Sequence, residues 1–281
     1  VTRRRVFPVV DVRARRSARR ACAGSPAVRI GVDGRVLVHR PTGVARYLAA
    51  VLEEARPARP ADEIWEVFVD RIPEGAVPGA PDKVTVLRWP WPGGDPAWRQ
   101  LRLAARLARS VPDVLFCPFY TAPLAARVPW VVTVHDVSFA AHPEWFSTRA
   151  RLAFALAGAS ARRARRVLTV SRFSAAEIVR YLGVPASAVE VVPPGVAAAW
   201  SSPVTPDERR AVSRWLGFEG PYVLHFGAVH RRRNVDLLLR GFALVSRDVP
   251  DLRLVVAGPL IEPAPDVARL AAELGVAGRV L

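Results

Sequence analysis

The stretch that most restricts the fold is Tyr222 to Val245, YVLHFGAVHRRRNVDLLLRGFALV. Its first five residues form an alternating apolar run, the pattern of a buried strand. Gly227 ends that run. Arg231, Arg232 and Arg233 follow, directly before Asn234, a residue type suited to cap the next helix. In that helix Val235, Leu238, Leu239, Phe242 and Val245 recur at spacings of three and four, so one face is apolar. Strand, glycine turn, cationic loop and helix N-terminus together suit an anionic diphosphate. Free backbone N–H groups and the positive helix end attract it, and guanidinium forks grip its oxygens. A charge run by itself more often marks a solvated face; its position at a strand-to-helix switch favours the anion site.

The same strand-to-helix grammar runs through the preceding residues. Val28-Arg29-Ile30-Gly31-Val32-Asp33 reads as a first buried strand. Pro41-Thr42-Gly43 then opens a helix with Val44, Tyr47, Leu48, Val51 and Leu52 inward. This is the first unit of a doubly wound parallel sheet, although no GxGxxG dinucleotide fingerprint is present. Gly43 lets a phosphate or sugar approach the backbone, against the plainer reading of a turn glycine. Ile64–Val69 and Val84–Leu87 are strands, and the Pro- and Gly-rich RWPWPGGDPAW is a loop. Its Trp89, Trp91 and Trp98 either form a rim for a sugar acceptor or pack the loop itself. Asp95 and Pro96 start a helix to about Ser110.

Val114–Cys117 and Trp130–Val134 are short and continuously apolar, as parallel strands covered on both faces should be. The second leads straight into His135-Asp136. Ligands of such sheets gather at the carboxyl ends of strands, so His135 is a candidate ligand contact, with a structural histidine the even alternative. Asp136 orients its ring or caps a turn. A helix is expected from about Ser147 to Arg166, with a basic outer face, then strand Val167–Val170 with Ser171 at its end. Ser174 and Glu177 have the spacing of a capping box, as do Thr205 and Glu208. Strands are expected at Val189–Val192 and Leu252–Ala257, and a last helix at Ala264–Leu274.

Composition trims the functional classes. The chain of 281 residues is 51% hydrophobic and carries a formal charge of +16. Residues 1–25 hold eight arginines against one acid, a net +7; with no core-forming face, residues 1–27 read as a basic disordered tail. Lys83 is the only lysine and methionine is absent, so part of the charge reflects a GC-rich coding bias. The positive field still suits phosphorylated small molecules and anionic lipid surfaces. Nucleic acid is disfavoured, because aromatics are not interleaved with the basic residues. No apolar run reaches membrane-spanning length or resembles a secretory signal, and a cytoplasmic address is the default expectation. Cys22 and Cys117 form neither a metal nor a redox spacing.

Two βα series separated at Pro193–Gly220 imply two sheets with a cleft between them. The expected division is 28–200, a linker at 201–220, and 221–281. About 60 residues follow the boundary, where a full mononucleotide-binding domain needs on the order of 100 to 150, so the second domain reads as incomplete.

The blocks VRIGVD…PTGVARYL, DVLFCPFYTAPL, VPWVVTVHDVSFAAHPEWF, RVLTVSRFSAAEIVRYLGVPASAVEVVPPGV and YVLHFGAVHRRRNVDLLLRGFALV occur in one order from about Val28 onward. In that order they resemble the family 4 glycosyltransferases of the GT-B fold. The resemblance implies an α/β architecture of two Rossmann-like domains, the second incomplete. It also implies transfer of a sugar, with mannose the candidate, from a nucleotide-sugar to a glycan or lipid-linked acceptor. Anomeric configuration would be retained, with no cofactor or bound metal; peripheral association at an anionic membrane face is the expectation of the charge alone. By the same resemblance, Gly43 and Gly227 lie near the donor phosphates and His135 near the donor sugar. Arg232, Arg233 and Asn234 match the Arg-Lys-Asn run that neutralises the departing diphosphate, with Arg233 in place of lysine. His135 and Arg233 would be catalytic; Asp136 and Ser171 would support them. A catalytically incomplete binding module and a sugar-nucleotide epimerase of the same fold are the competing readings. No pair of carboxylates suits a double-displacement glycosidase.

Overall fold

The computed structural model describes residues 27–39, 42–89 and 94–281. The expectations for residues 1–26, for Pro41 and Trp91, and for the capping side chain of Asp95 fall outside that description.

Strands β1 (Val28–Asp33), β2 (Glu63–Val69), β3 (Lys83–Val86), β4 (Val114–Cys117), β5 (Trp130–Thr133), β6 (Arg166–Thr169) and β7 (Val189–Val191) form a seven-stranded sheet. Their order is β3-β2-β1-β4-β5-β6-β7. The pairings β1–β2, β1–β4, β2–β3, β5–β6 and β6–β7 are parallel. Parallel neighbours require crossover connections, and helices lie in most of them, while β2 and β3 are joined by a loop. The helices include α1 (Gly43–Ala55), α2 (Gly94–Ala97) and α3 (Ala104–Arg109), then α4 (Ser138–Ala141), α5 (Thr148–Phe154), α6 (Ala157–Arg162) and α7 (Arg172–Leu182). After α8 (Pro206–Leu216), β8 (Tyr222–Phe226) and β9 (Arg253–Ala257) pair in parallel as a second sheet, flanked by α9 (Val235–Asp248) and α10 (Val267–Glu273).

The chain falls into two compact units. The first runs through residue 91 and adds residues 105–116 and 126–129; the second comprises residues 92–104, 117–125 and 130–281. In the first, Val32, Trp65, Val67 and Val69 of the strands close over Leu48 and Leu52 of α1. Thr42 starts α1, its Oγ1 accepting the Ala45 N–H at 3.1 Å. The second unit has a core of Val235, Leu239, Phe242 and Ala243 from α9, packed with Leu254, Leu270, Ala271 and Val276. The i, i+4, i+7 spacing of Val235, Leu239 and Phe242 is therefore the buried stripe of the helix.

Several local expectations need correction. β8 is not a buried strand: Tyr222, Val223, Leu224 and Phe226 are all exposed, Phe226 at 73%. Among the described residues the strand is bonded to β9 alone, so its apolar residues lack the double cover that a central parallel strand normally has. The helix expected over 147–166 is two helices. Ser160 of α6 accepts the Ala122 N–H at its Oγ (3.0 Å) and the Trp130 indole N–H at its carbonyl (3.0 Å), which fixes α6 independently of α5. The helix after Pro96 contains a π turn at Trp98–Leu103. Trp98 is fully buried there, so it packs the loop and forms no rim. At α7 the cap is Ser171, whose Oγ accepts the Ser174 N–H at 3.0 Å; the Ser174–Glu177 box does not form the cap. The Thr205–Glu208 box is formed in full.

Candidate functional site

Three loops of the second unit meet near the carboxyl end of β5. The first follows β4. Its Tyr120 has φ +51°, a left-handed conformation that non-glycine residues adopt at a cost. That turn is held by the Tyr120 N–H on the Thr133 carbonyl (3.0 Å) and by Arg99 Nη1 on Thr121 Oγ1 (2.7 Å). Arg99 comes from the π turn and is 1% exposed, so a charged group is spent on anchoring this loop. Tyr120 packs edge-on against His135, Phe139 and Phe154.

The second loop carries His135 and Asp136. The His135 ring meets the Pro118 carbonyl through Nε2 at 3.0 Å. Carbonyl oxygen only accepts, so Nε2 carries the proton. Burial pushes the His135 pKa down, against smaller opposing effects of the Pro118 bond and the Asp136 charge. The imidazole is thus neutral near pH 7. Asp136 caps the following turn. One carboxylate oxygen accepts both the backbone N–H and the hydroxyl of Ser138; the other faces Arg232. Burial and the Asp136 charge raise the Tyr120 pKa far above its usual value, so the phenol keeps its proton.

The third loop joins β8 to α9. Gly227 has φ +127°, and a Cβ built on it would lie 4.0 Å from Arg233 Nη2, so this guanidinium lies beside the glycine turn. Arg231–Arg233 form one 3-10 turn. Its cap is His230, whose Nδ1 accepts the Arg232 N–H at 3.1 Å. Burial first, then the charges of Arg232 and Arg233, lower the His230 pKa. Asn234 precedes α9 in a left-handed conformation, φ +53°, and its side chain makes no capping bond. The side-chain cap expected of it at α9 is therefore not formed, and His230 caps only the 3-10 turn before it. Arg232 Nη1 reaches Asp136 Oδ2 at 3.3 Å, and Phe146 lies against His230 at 5.8 Å between ring centroids.

Of the sequence candidates, His135, Asp136, Gly227, Arg232, Arg233 and Asn234 fall on these loops, and Ser171 is committed to capping α7. Gly43 belongs to the first unit, where a Cβ on it would meet nothing within 4 Å. At the carboxyl end of β2 in that unit, Asp70 binds Arg35 Nε at 2.7 Å and His39 Nε2 at 3.0 Å. Tyr120, His230 and Arg99 were missed. Only His230 left a sequence signal, an acceptor side chain directly before the arginine run. Among the described residues, no group of three or more His, Cys, Asp or Glu could hold a metal ion. None of their helices is long and apolar enough to cross a membrane.

The family model described as Glycosyltransferase Family 4 matches residues 41–200, more than half of the chain. The chain belongs to glycosyltransferase family 4. This family-4 chain is 33% identical over 118 residues to the GDP-mannose-dependent alpha-(1-6)-phosphatidylinositol monomannoside mannosyltransferase of Mycolicibacterium smegmatis. That match covers 41% of this chain and 30% of the relative. Mannosylfructose-phosphate synthase of Agrobacterium fabrum is 29% identical over 80 residues, 28% of this chain and 18% of that protein. The matched segments thus span less than a third of either relative. Among solved structures, Anabaena HepE in complex with UDP and glucose has a TM-score of 0.60 at 22% identity, covering 90% of this chain and 67% of that one. WaaG, a glycosyltransferase involved in lipopolysaccharide biosynthesis, has a TM-score of 0.63 at 16% identity, covering 90% and 69%. At that identity the likeness concerns the fold, which is the GT-B fold of these glycosyltransferases.

Proposed function

We propose that the family-4 chain binds a nucleotide-sugar by its diphosphate and takes part in moving a hexose, with mannose as the candidate, to a glycan or lipid-linked acceptor. One observation carries this reading: the cationic turn before α9 reaches Asp136, next to His135 at the end of β5. The diphosphate would lie over the turn, against Arg232, Arg233 and the N-terminus of α9. As the bond from the anomeric carbon to the phosphate oxygen breaks, the electron pair leaves with the nucleoside diphosphate. Preorganised cations and a helix N-terminus stabilise that growing charge.

The neutral His135 ring suits contact with the uncharged sugar. Gly227 would let phosphate oxygens approach the backbone. In this reading the configuration is retained and no metal or cofactor takes part, because the arginines supply the neutralising charge. The mannose assignment rests on the GDP-mannose-dependent relative. A lipid-linked acceptor at an anionic surface fits the net charge and the exposed Arg149, Arg151, Arg163 and Arg165.

Isothermal titration of the 281-residue chain with GDP and UDP tests the binding, and hydrolysis of GDP-mannose tests the chemistry. Saturable binding of at least one nucleotide, lost in the double variant Arg232→Ala/Arg233→Ala, is the expected result. Absence of binding to either nucleotide overturns the reading. Binding without any sugar release favours a non-catalytic binding module.

A further inference from the structure

Asp136 stands between two demands that its two oxygens satisfy separately. Oδ1 is fixed by the Ser138 N–H at 2.9 Å and by the Ser138 hydroxyl. Both come from the start of α4, the element that follows the loop, so the carboxylate plane is set locally before any partner arrives. Oδ2 then points to Arg232 Nη1 at 3.3 Å. The buried phenol of Tyr120 keeps its proton and hydrogen-bonds to Asp136, so it is a further donor to that group and adds no negative charge. The arginine backbone is equally constrained, because His230 Nδ1 holds its N–H at 3.1 Å. Between those fixed ends lies a long, partly exposed side chain, 37% accessible. A free arginine side chain there would populate many rotamers, and ordering it on binding an anion would cost affinity.

We propose that Asp136 is a positioning residue for Arg232: it holds one edge of the guanidinium so that the remaining donors face the donor diphosphate. The guanidinium is a rigid fork with five N–H donors. One bond through Nη1 fixes its plane while the Nε and Nη2 edge can still grip two phosphate oxygens. The carboxylate therefore works with the diphosphate and not in competition with it. The inference rests on the diphosphate reading of the same turn, and two separate readouts keep them apart.

The variant of choice is Asp136→Asn. Its amide oxygen can still accept from Ser138 and preserve the turn, but it loses the charge that attracts Arg232. A thermal melt within about 2 °C of wild type confirms that the fold is intact. The first readout needs no nucleotide: the arginine side-chain Nε–H resonance assigned by its loss in Arg232→Ala. It should be resolved in the parent chain and broaden or shift toward free arginine in Asp136→Asn. An unchanged resonance overturns the proposal. The second readout is GDP and UDP affinity, expected to fall about tenfold in Asp136→Asn and to fall no further when the change is added to Arg232→Ala. Tighter binding in Asp136→Asn would show competition, and an additive double variant would show independence; either overturns the proposal. If the resonance depends on Asp136 but neither nucleotide binds the parent chain, the diphosphate reading fails, and with it the proposed purpose of the contact.

Discussion

His230 Nδ1 accepts the backbone N–H of Arg232 at 3.1 Å, so the cationic turn is capped by a side chain that must remain neutral. Protonation would remove the acceptor and set a third positive charge against two arginines. Burial and those charges already depress the His230 pKa, and burial depresses that of His135.

A pH prediction follows from those directions. A group whose pKa is lowered on folding contributes its stabilisation above its unfolded value, about 6.5 for histidine. That contribution is lost as pH falls through the folded value, because the unfolded chain then binds more protons. The thermal midpoint should fall as pH drops below about 6.5. His230→Asn keeps an acceptor and removes a titration, so it should flatten part of that dependence. A cap is worth about 1 kcal/mol, or roughly 2–4 °C. Calorimetry at pH 7.5 and 5.5 on both proteins measures it; identical pH slopes would reject the role of His230.

The two arginines should act on anions and on little else. Both side chains are exposed, so Arg232→Ala and Arg233→Ala should leave the melting temperature close to wild type. Each should weaken GDP or UDP about ten- to hundredfold, as expected for charged hydrogen bonds to phosphate. The affinity should also fall with added salt. Titration calorimetry at two ionic strengths decides the matter, and salt-independent binding would contradict it.

Glycine substitutions should separate steric need from ligand need. A Cβ at Gly258 would lie 1.9 Å from the Gly227 carbonyl oxygen, a backbone atom that cannot move without displacing the β8 turn. Gly258→Ala should therefore destabilise the second sheet by more than about 3 kcal/mol. Gly43→Ala meets no atom within 4 Å and should fold normally, so its nucleotide affinity reads ligand contact without a change of fold. Denaturant unfolding and nucleotide titration on each variant give the two answers.

The exposed row of β8 should promote self-association of this chain. Leu224 is 52% and Phe226 73% exposed on an apolar strand paired on one side, the condition under which strand edges stick. Leu224→Thr with Phe226→Thr should lower light scattering at high protein concentration and change unfolding free energy by no more than about 1 kcal/mol. Unchanged scattering would place the association elsewhere.

The order of strands and helices was legible because each unit obeys its own local rule. β1 begins and ends where VRIGVD does, and the Thr205–Glu208 box forms as its spacing dictates. The arginine run was legible as a site because charge and a helix start coincide within a few residues. What escaped were contacts between residues far apart in sequence. Arg232 and Asp136 lie 96 positions apart, and no periodicity links a turn after β8 to a loop after β5. Asn234 looked like the cap because intrinsic preference favours it, yet the backbone enters α9 in a left-handed conformation that turns its side chain from that task. The amino-acid sequence by itself determined the alternation of strands and helices and the chemical character of the turn, since these depend on neighbours within one helical turn. Tertiary structure alone decided that β8 lies exposed, that Trp98 is core, and that a carboxylate from the loop after β5 meets an arginine from the β8 turn. Those outcomes depend on which surfaces meet, and only folding brings them together.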